Sequence, residues 1–389
     1  MKKLALFISL LAGLYAQQTL ACTTNLKKFP FACQLQEHYQ DLKSEFKNKF
    51  NIDIESLAHY RAMRFLDIYD WRATNKKGNY LPWKIYKPTP KTWMYWERGA
   101  HFITAEWIEK IRGNISQKDF EEAHFAVMTK TIMGKAARGK KKAVVGQMRF
   151  KKNQKSPSWK ARCGSRYALT YEEFRLMDNF DLKSADGRPL VHLKGGNYTQ
   201  CSNGRYSARM VYLPSRDVAR ELVRLSDYIN RHWPAIKKGN GQIGPLDLAA
   251  DAQRWLVSIH PIGDGNGRIS RMLQDAIAQD FGLPFAPAGY LTWDQTTPKL
   301  SYRQKVKEQY TSMLKHLSTC LDQYRAQGKI HPHCRPLYSI HDNGDTKKVQ
   351  KEKLKFTNEL KEFLATPESQ LTNFYKKYKH LDGIKRDNK

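Results

Sequence analysis

The fold is decided by residues 246–277, which read LDLAADAQRWLVSIHPIGDGNGRISRMLQDAI. On both sides of a polar centre, apolar residues recur at the spacing of a helix with one buried face. Upstream these residues are Leu246, Leu248, Ala249, Ala252, Trp255, Leu256 and Ile259, and downstream they are Ile269, Met272, Leu273, Ala276 and Ile277. The stretch therefore predicts two buried helices joined by a polar loop, with the second helix beginning near Asn266.

The centre of this stretch has the composition of an anion-binding turn. Gly265 and Gly267 allow the backbone to approach a ligand without a Cβ atom in the way, and the N–H groups at the start of the second helix would point at that ligand. Arg268 and Arg271 are three residues apart, so they share one face of the helix and can offer forked donors to phosphate oxygens. The pattern indicates a site for a polyphosphate.

Two further side chains supply the chemistry that a polyphosphate site needs. Asp264 offers a carboxylate oxygen, the type of ligand that Mg²⁺ prefers. His260 can accept a proton near neutral pH and so could activate an attacking hydroxyl group. The alternative is an ordinary turn between helices, which is often rich in Gly, Asn and Asp.

The twelve residues His260–Arg271 resemble the signature of the Fic (filamentation induced by cAMP) family, H-x-F-x-D/E-G-N-G-R-x-x-R. They agree with it at every position but one, because Ile262 stands where the family has Phe. In the family that aromatic residue anchors the loop in the core, and an apolar Ile preserves the anchor with some loss of packing.

The resemblance implies transfer of AMP from ATP to a hydroxyl group of a target protein. His260 would be the general base, and Asp264 would bind Mg²⁺. Gly265, Asn266 and Gly267 would cradle the α- and β-phosphates, and Arg268 and Arg271 would clamp the β- and γ-phosphates. Transfer of another nucleotide, phosphocholine or phosphate stays an alternative, because such a loop recognises phosphates rather than the group attached to them.

We predict a mostly α-helical protein with a Fic-type core, a β-hairpin flap and basic accessory segments. The expected divisions are a signal peptide (1–21), an aromatic and basic accessory region (22–99), the core (100–325) and a charged helical tail (326–389). Within the core, residues 130–166 form a basic insert, and helices are expected at Val218–Trp233 and Tyr302–Tyr324.

Residues 204–214 alternate in polarity, which is typical of a strand or hairpin. Their position before the helix at Val218 resembles the Fic flap, which holds a segment of the target by main-chain pairing. The residues expected to contact the target are Arg205, Tyr206, Ser207, Ala208 and Arg209. The alternative is a hairpin with no role in substrate binding.

The first residues predict export of the chain. Two lysines precede the apolar stretch Leu4–Tyr15, as in a secretory signal that would be cleaved after Ala16 or Ala21. Six cysteines remain, and an even number in an exported protein favours disulfides. We expect the near-neighbour pairs Cys22–Cys33, Cys163–Cys201 and Cys320–Cys334.

The chain has 67 basic and 37 acidic residues, for a net charge of +30. Such a charge attracts polyanions, so nucleic acid or an anionic surface is a secondary candidate partner, and solubility alone is the simple explanation. From Lys130 to Arg162 there are twelve Lys or Arg residues and no acidic residue. This segment is a solvated loop or a docking surface for an acidic target or nucleic acid.

Two expectations concern regulation and location. Many Fic proteins carry an inhibitory S/T-x-x-x-E-G/N helix, but no Glu of this chain is followed by Gly or Asn. The purified protein is therefore expected to be active, or a separate antitoxin supplies the inhibitory Glu.

Because the periplasm and the medium hold little ATP, an exported enzyme is expected to work in another compartment that contains ATP, as a secreted effector or toxin.

Overall fold

The computed structural model describes residues 22–54, 57, 107–120, 122–123, 158–160, 162–163, 168–178, 180–262, 265–284, 293–331 and 334–335, with isolated positions between 354 and 377. The predicted signal peptide and nearly all of the basic insert lie outside the described residues.

The described chain is mostly helical with one small sheet, which confirms the predicted fold class. In chain order its elements are a 3-10 turn (Thr24–Leu26), α1 (Pro30–Phe50), β1 (Ser158–Lys160), α2 (Tyr171–Asp178), β2 (Val191–Gln200), β3 (Tyr206–Tyr212), α3 (Ser215–Lys237), α4 (Pro245–Ile259), α5 (Asn266–Asp280), α6 (Trp293–Thr296) and α7 (Lys299–Arg325). The helices predicted around 218–233 and 302–324 are both present and slightly longer.

Helix α4 lies at the centre of the core. It packs against α3, α5, α6 and α7, and α1 covers the far side of α7. The apolar residues that define the sequence pattern are buried on both α4 and α5, apart from the half-buried Trp255. Because neighbouring helices cover α4 on most sides, its polar residues are largely covered as well.

The sheet is antiparallel, and its strand order is β1-β3-β2. β3 alternates as predicted, since Ala208, Met210 and Tyr212 are buried on its inner face and Arg209 is exposed on the other. β2 is the other strand of the hairpin, and its register with β3 shifts between Leu193 and Tyr198. The sheet ends at Tyr212, which brings the chain to the start of α3.

Three disulfides are present, with the pairing expected from the sequence. They join Cys22 to Cys33, Cys163 to Cys201, and Cys320 to Cys334. The first fixes the chain entry to α1, the second ties the segment after β1 to the hairpin turn, and the third ties α7 to the segment that follows it. Among the described residues, no helix has both the length and the apolar character that a membrane span requires.

Candidate active site

The loop between α4 and α5 begins and ends in a left-handed backbone conformation. His260 caps the end of α4 with φ 53° and ψ 55°, and Gly265 precedes α5 with φ 93°. A positive φ is uncommon for a residue with a Cβ, although His tolerates it better than most, whereas Gly adopts it readily. These two residues change the direction of the chain at the end of α4 and at the start of α5.

Helix α5 begins at Asn266, as the sequence predicts. The first N–H groups of a helix have no acceptor within the helix, so the start of α5 offers donors to an anion in the loop. The side chain of Asn266 has a different task. Its Nδ2 donates to the Ile262 carbonyl (2.7 Å), and its Oδ1 accepts from the Ile262 N–H (3.0 Å).

This double hydrogen bond makes Asn266 a clamp on the loop. Asn266 is 2% exposed and Ile262 is fully buried, as expected for the residue that replaces the aromatic anchor. Because both amide atoms of Asn266 hold Ile262, a contribution of this residue to phosphate binding has to come mainly from its backbone N–H. The clamp therefore holds Ile262 in place, and the glycines allow a ligand to approach the backbone.

The structure places most of the predicted site residues on one continuous segment. His260 ends α4, Gly265 caps α5, and Asn266, Gly267 and Arg271 lie in the first two turns of α5. The backbone of Arg268 belongs to the first turn of α5. Asp264, the predicted Mg²⁺ ligand, lies outside the described residues, so its role stays a prediction.

Arg271 is buried and lies near a buried carboxyl group that the sequence analysis missed. Arg271 is 4% exposed and Asp294 of α6 is 2% exposed. Burial raises the pKa of Asp294 to about 7, and the charges of Arg271 and Arg254 lower it only in part. Gln253 Nε2 donates to Asp294 Oδ2 (3.1 Å).

We predict that the Asp294→Asn variant gains stability over the wild type as the pH rises. The pKa in the folded state, about 7, lies above the ordinary Asp value of 3.8. The folded state therefore holds this proton more tightly, and the stability that it contributes is lost as the pH rises toward 7. One pKa unit corresponds to about 1.4 kcal/mol, so the effect amounts to a few kcal/mol.

The measurement compares the melting temperatures of the two proteins between pH 4 and pH 8. The difference, variant minus wild type, should grow up to about pH 7 and then level off. A difference that stays constant over this range would show that Asp294 ionises as it does in the unfolded chain.

The structure shows which strands pair with the segment of the flap residues Arg205–Arg209, whose contact with a target stays a prediction. Tyr206 exchanges two backbone hydrogen bonds with Leu169 (2.7 and 2.9 Å), and Arg209–Val211 lie opposite β1. β2 pairs with the other edge of β3. β3 is therefore the central strand, and the edge of the sheet that faces no other described strand belongs to β2.

Two residues near the predicted base were not identified from the sequence, namely Tyr212, which contacts it, and Gln295, which contacts Tyr212. The ring of Tyr212, the last residue of β3, stacks on the imidazole of His260 with a centroid distance of 4.0 Å and an interplanar angle of 19°. Tyr212 Oη donates to Gln295 Oε1 of α6 (3.2 Å). The alternating pattern of β3 indicates that Tyr212 is buried, but it does not show which residue the Tyr212 ring contacts.

Comparison with known proteins agrees with the resemblance of the loop. Residues 175–278 match the Fic/DOC family. The protein adenylyltransferase Fic of Drosophila willistoni is 27% identical over 127 residues, which are 31% of this chain and 24% of that protein. The uridine 5'-monophosphate transferase of Xanthomonas campestris pv. campestris is 33% identical over 76 residues, which are 20% of this chain and 14% of that protein.

The chain thus spans about a quarter or less of the length of these relatives. Among solved structures, Fic-1 of C. elegans has a TM-score of 0.38 at 14% identity, over 76% of this chain and 73% of that chain. A Fic domain containing signaling protein from Bacteroides thetaiotaomicron has a TM-score of 0.32 at 15% identity, over 92% and 99%. The family match covers β2 and β3 together with the α4–loop–α5 segment, so residues 175–278, the part of this chain that is similar to the Fic/DOC family, include the predicted site.

Proposed function

We propose that this chain transfers AMP from ATP to a hydroxyl group of a target protein. The observation that carries the proposal is the segment His260–Arg271, which lies inside the family match. It puts an imidazole one short loop ahead of the amino end of a buried helix. A proton acceptor and a place for phosphate oxygens are thereby adjacent, which is what nucleotidyl transfer to a hydroxyl requires.

In the proposed reaction, His260 accepts the proton of the target hydroxyl while that oxygen attacks the α-phosphorus of ATP. The bond from the α-phosphorus to the oxygen that bridges to the β-phosphate breaks, and pyrophosphate leaves. N–H groups at the start of α5 hold phosphate oxygens, and the guanidinium of Arg271 offsets the charge of the β- and γ-phosphates. When bound at Asp264, Mg²⁺ would offset further phosphate charge.

UMP transfer is the second candidate, because one of the similar proteins is a uridine 5'-monophosphate transferase. The residues described above contact phosphates in either case. The base of the nucleotide therefore has to be identified by experiment rather than from these residues.

The decisive experiment incubates the oxidised protein, lacking residues 1–21, with a cell lysate and one labelled donor at a time: ATP, UTP, GTP or CDP-choline. We expect labelled protein bands with ATP, and none when His260 is replaced. Labelling with UTP alone would establish the second candidate. No labelling with any donor, together with nucleic-acid binding that weakens steeply with salt and does not depend on His260, would favour a non-catalytic binding protein.

We further propose that the target segment lies along the edge of β2 that faces no other described strand. The three strands contain no Asp or Glu, and Lys194 and Arg209 are exposed on neighbouring strands. Neither of them forms an ion pair with a carboxylate among the described residues. This unneutralised positive face favours a target whose modified residue lies in an acidic segment.

We predict that the double variant Lys194→Glu/Arg209→Glu labels such a target about 10-fold or more slowly at low salt, because electrostatic attraction raises association rates by about that factor or more. The control is Lys43→Glu/Lys315→Glu, which makes the same change in net charge at exposed positions of α1 and α7. Initial labelling rates at low and high salt provide the measurement. Equal losses in both double variants would show that only the total charge matters.

We also propose export of the chain and action in a compartment that contains ATP, from the apolar stretch after Lys2 and Lys3. Since the strict inhibitory motif is absent from the sequence, the protein should label its target without activating substitutions. A separate antitoxin that supplies a Glu to Arg271 is the partner that would restrain it.

A further inference from the structure

The predicted base is held by a residue from the hairpin. Tyr212 is 3% exposed, and its ring lies nearly parallel to the imidazole of His260, at a centroid distance of 4.0 Å. Stacking of two rings is stabilising beyond simple burial. It fixes the plane of the imidazole as well as its position.

The hydroxyl end of Tyr212 is tethered in turn. Tyr212 Oη donates to Gln295 Oε1 (3.2 Å), and Gln295 Nε2 donates to the Val257 carbonyl (3.5 Å). Gln295 is 5% exposed, so these groups lie away from solvent. Val257 precedes His260 by about one helical turn. The contacts therefore form a closed path from α4 through α6 and β3 to the base at the end of α4.

The position of His260 explains why such a tether is useful. His260 follows the last residue of α4 and has a positive φ, so the helix does not set the direction of its side chain. A general base has to lie within about 2.6–3.2 Å of the oxygen whose proton it accepts. A rotated imidazole would miss the hydroxyl even with the loop intact.

We propose that Tyr212, tethered by Gln295, is the positioning residue that orients the His260 imidazole for proton transfer. The proposal rests on the proposed function in one respect, namely that His260 is the base. It extends that function because it assigns a role in catalysis to the end of the hairpin, through a residue that touches the base rather than the substrate.

A spectroscopic test examines the stack without any enzymatic activity. In ¹H–¹³C correlation spectra of the full chain labelled at histidine, the ring protons of His260 should be shifted upfield by the Tyr212 ring, with the signal assigned from a His260→Gln sample. Tyr212→Leu should abolish the upfield shift, and Tyr212→Phe should keep much of it. Tyr206→Leu, a variant on the same strand, should leave it unchanged. A His260 signal that is identical in the wild type and in Tyr212→Leu would overturn the proposal.

The kinetic test separates positioning from ATP binding. Tyr212→Leu should lower kcat for labelling about 10- to 100-fold, the loss typical of a misplaced catalytic group. The KM for ATP should stay within about twofold, because the Tyr212 ring contacts the base and not the phosphates. Tyr212→Phe should recover most of the lost kcat.

Two further variants keep the proposal testable if Tyr212→Leu does not fold. Tyr212→Phe and Gln295→Met each keep an aromatic ring on His260 and remove only the tether, so both should shift the His260 signal and lower kcat by less than Tyr212→Leu does. If both leave the signal and kcat unchanged, the tether has no role. If no donor gives labelling in the wild type, the proposed function fails, while the ring shift still decides whether Tyr212 orients His260.

Discussion

Replacing His260 with alanine should lower the rate of AMP transfer about 10²- to 10⁴-fold, the usual contribution of a positioned general base. The imidazole at the end of α4 is the proposed proton acceptor, and Tyr212 stacks on it. Without it, the target hydroxyl has to lose its proton to water, although ATP still has its phosphate-binding residues.

The measurement pairs two assays on the same variant. Transfer is followed with α-³²P-ATP and an acceptor protein, and ATP affinity is followed by calorimetry, where His260→Ala should resemble the wild type. His38→Ala is the control, since His38 is exposed on α1 and its Nε2 forms a hydrogen bond with Ser318 Oγ of α7 (3.1 Å). Transfer near the wild-type rate in His260→Ala would refute the base assignment.

Replacing Arg271 with alanine should weaken ATP binding about 10- to 100-fold, because a hydrogen bond to a charged group is worth about 1.5–3 kcal/mol. Since Arg271 is predicted to bind the β- and γ-phosphates, the affinity for AMP should change little. Arg271→Lys keeps the charge but loses the fork, so its affinity for ATP should fall between those of the wild type and Arg271→Ala.

The buried surroundings of Arg271 require one more control. Arg271 and Asp294 are both buried, and removing one member of a buried charged set leaves the other without compensation. The double variant Arg271→Ala/Asp294→Asn removes this stability cost, but it still lacks the guanidinium that is predicted to bind the terminal phosphates. Equal losses of affinity for ATP and AMP would show that Arg271 supports the fold and does not bind the terminal phosphates.

Both variants act on a segment that could be predicted closely from the sequence. The start of α5 at Asn266 and the buried faces of α4 and α5 follow from apolar spacing and from the glycines, which are local features of the chain. The disulfide pairing was predicted as well, because each cysteine pairs with its nearest cysteine along the chain.

The flap shows where local features are insufficient. The alternation in residues 204–214 predicts a strand and its inner face, and β3 has both. It cannot show whether that strand is central or at an edge, because this depends on β1, which pairs with it from a distant part of the chain. We therefore propose that the target lies along β2 rather than along β3.

The sequence alone determined the α4–loop–α5 segment, its likeness to the Fic signature and the residues offered to a polyphosphate, because a helix period and a glycine turn are written in consecutive residues. Only the tertiary structure decided that Tyr212 stacks on His260, that Asn266 holds Ile262, and that Asp294 lies near Arg271. The orientation and ionisation of a side chain depend on the groups packed around it, and folding brings those groups from separate elements.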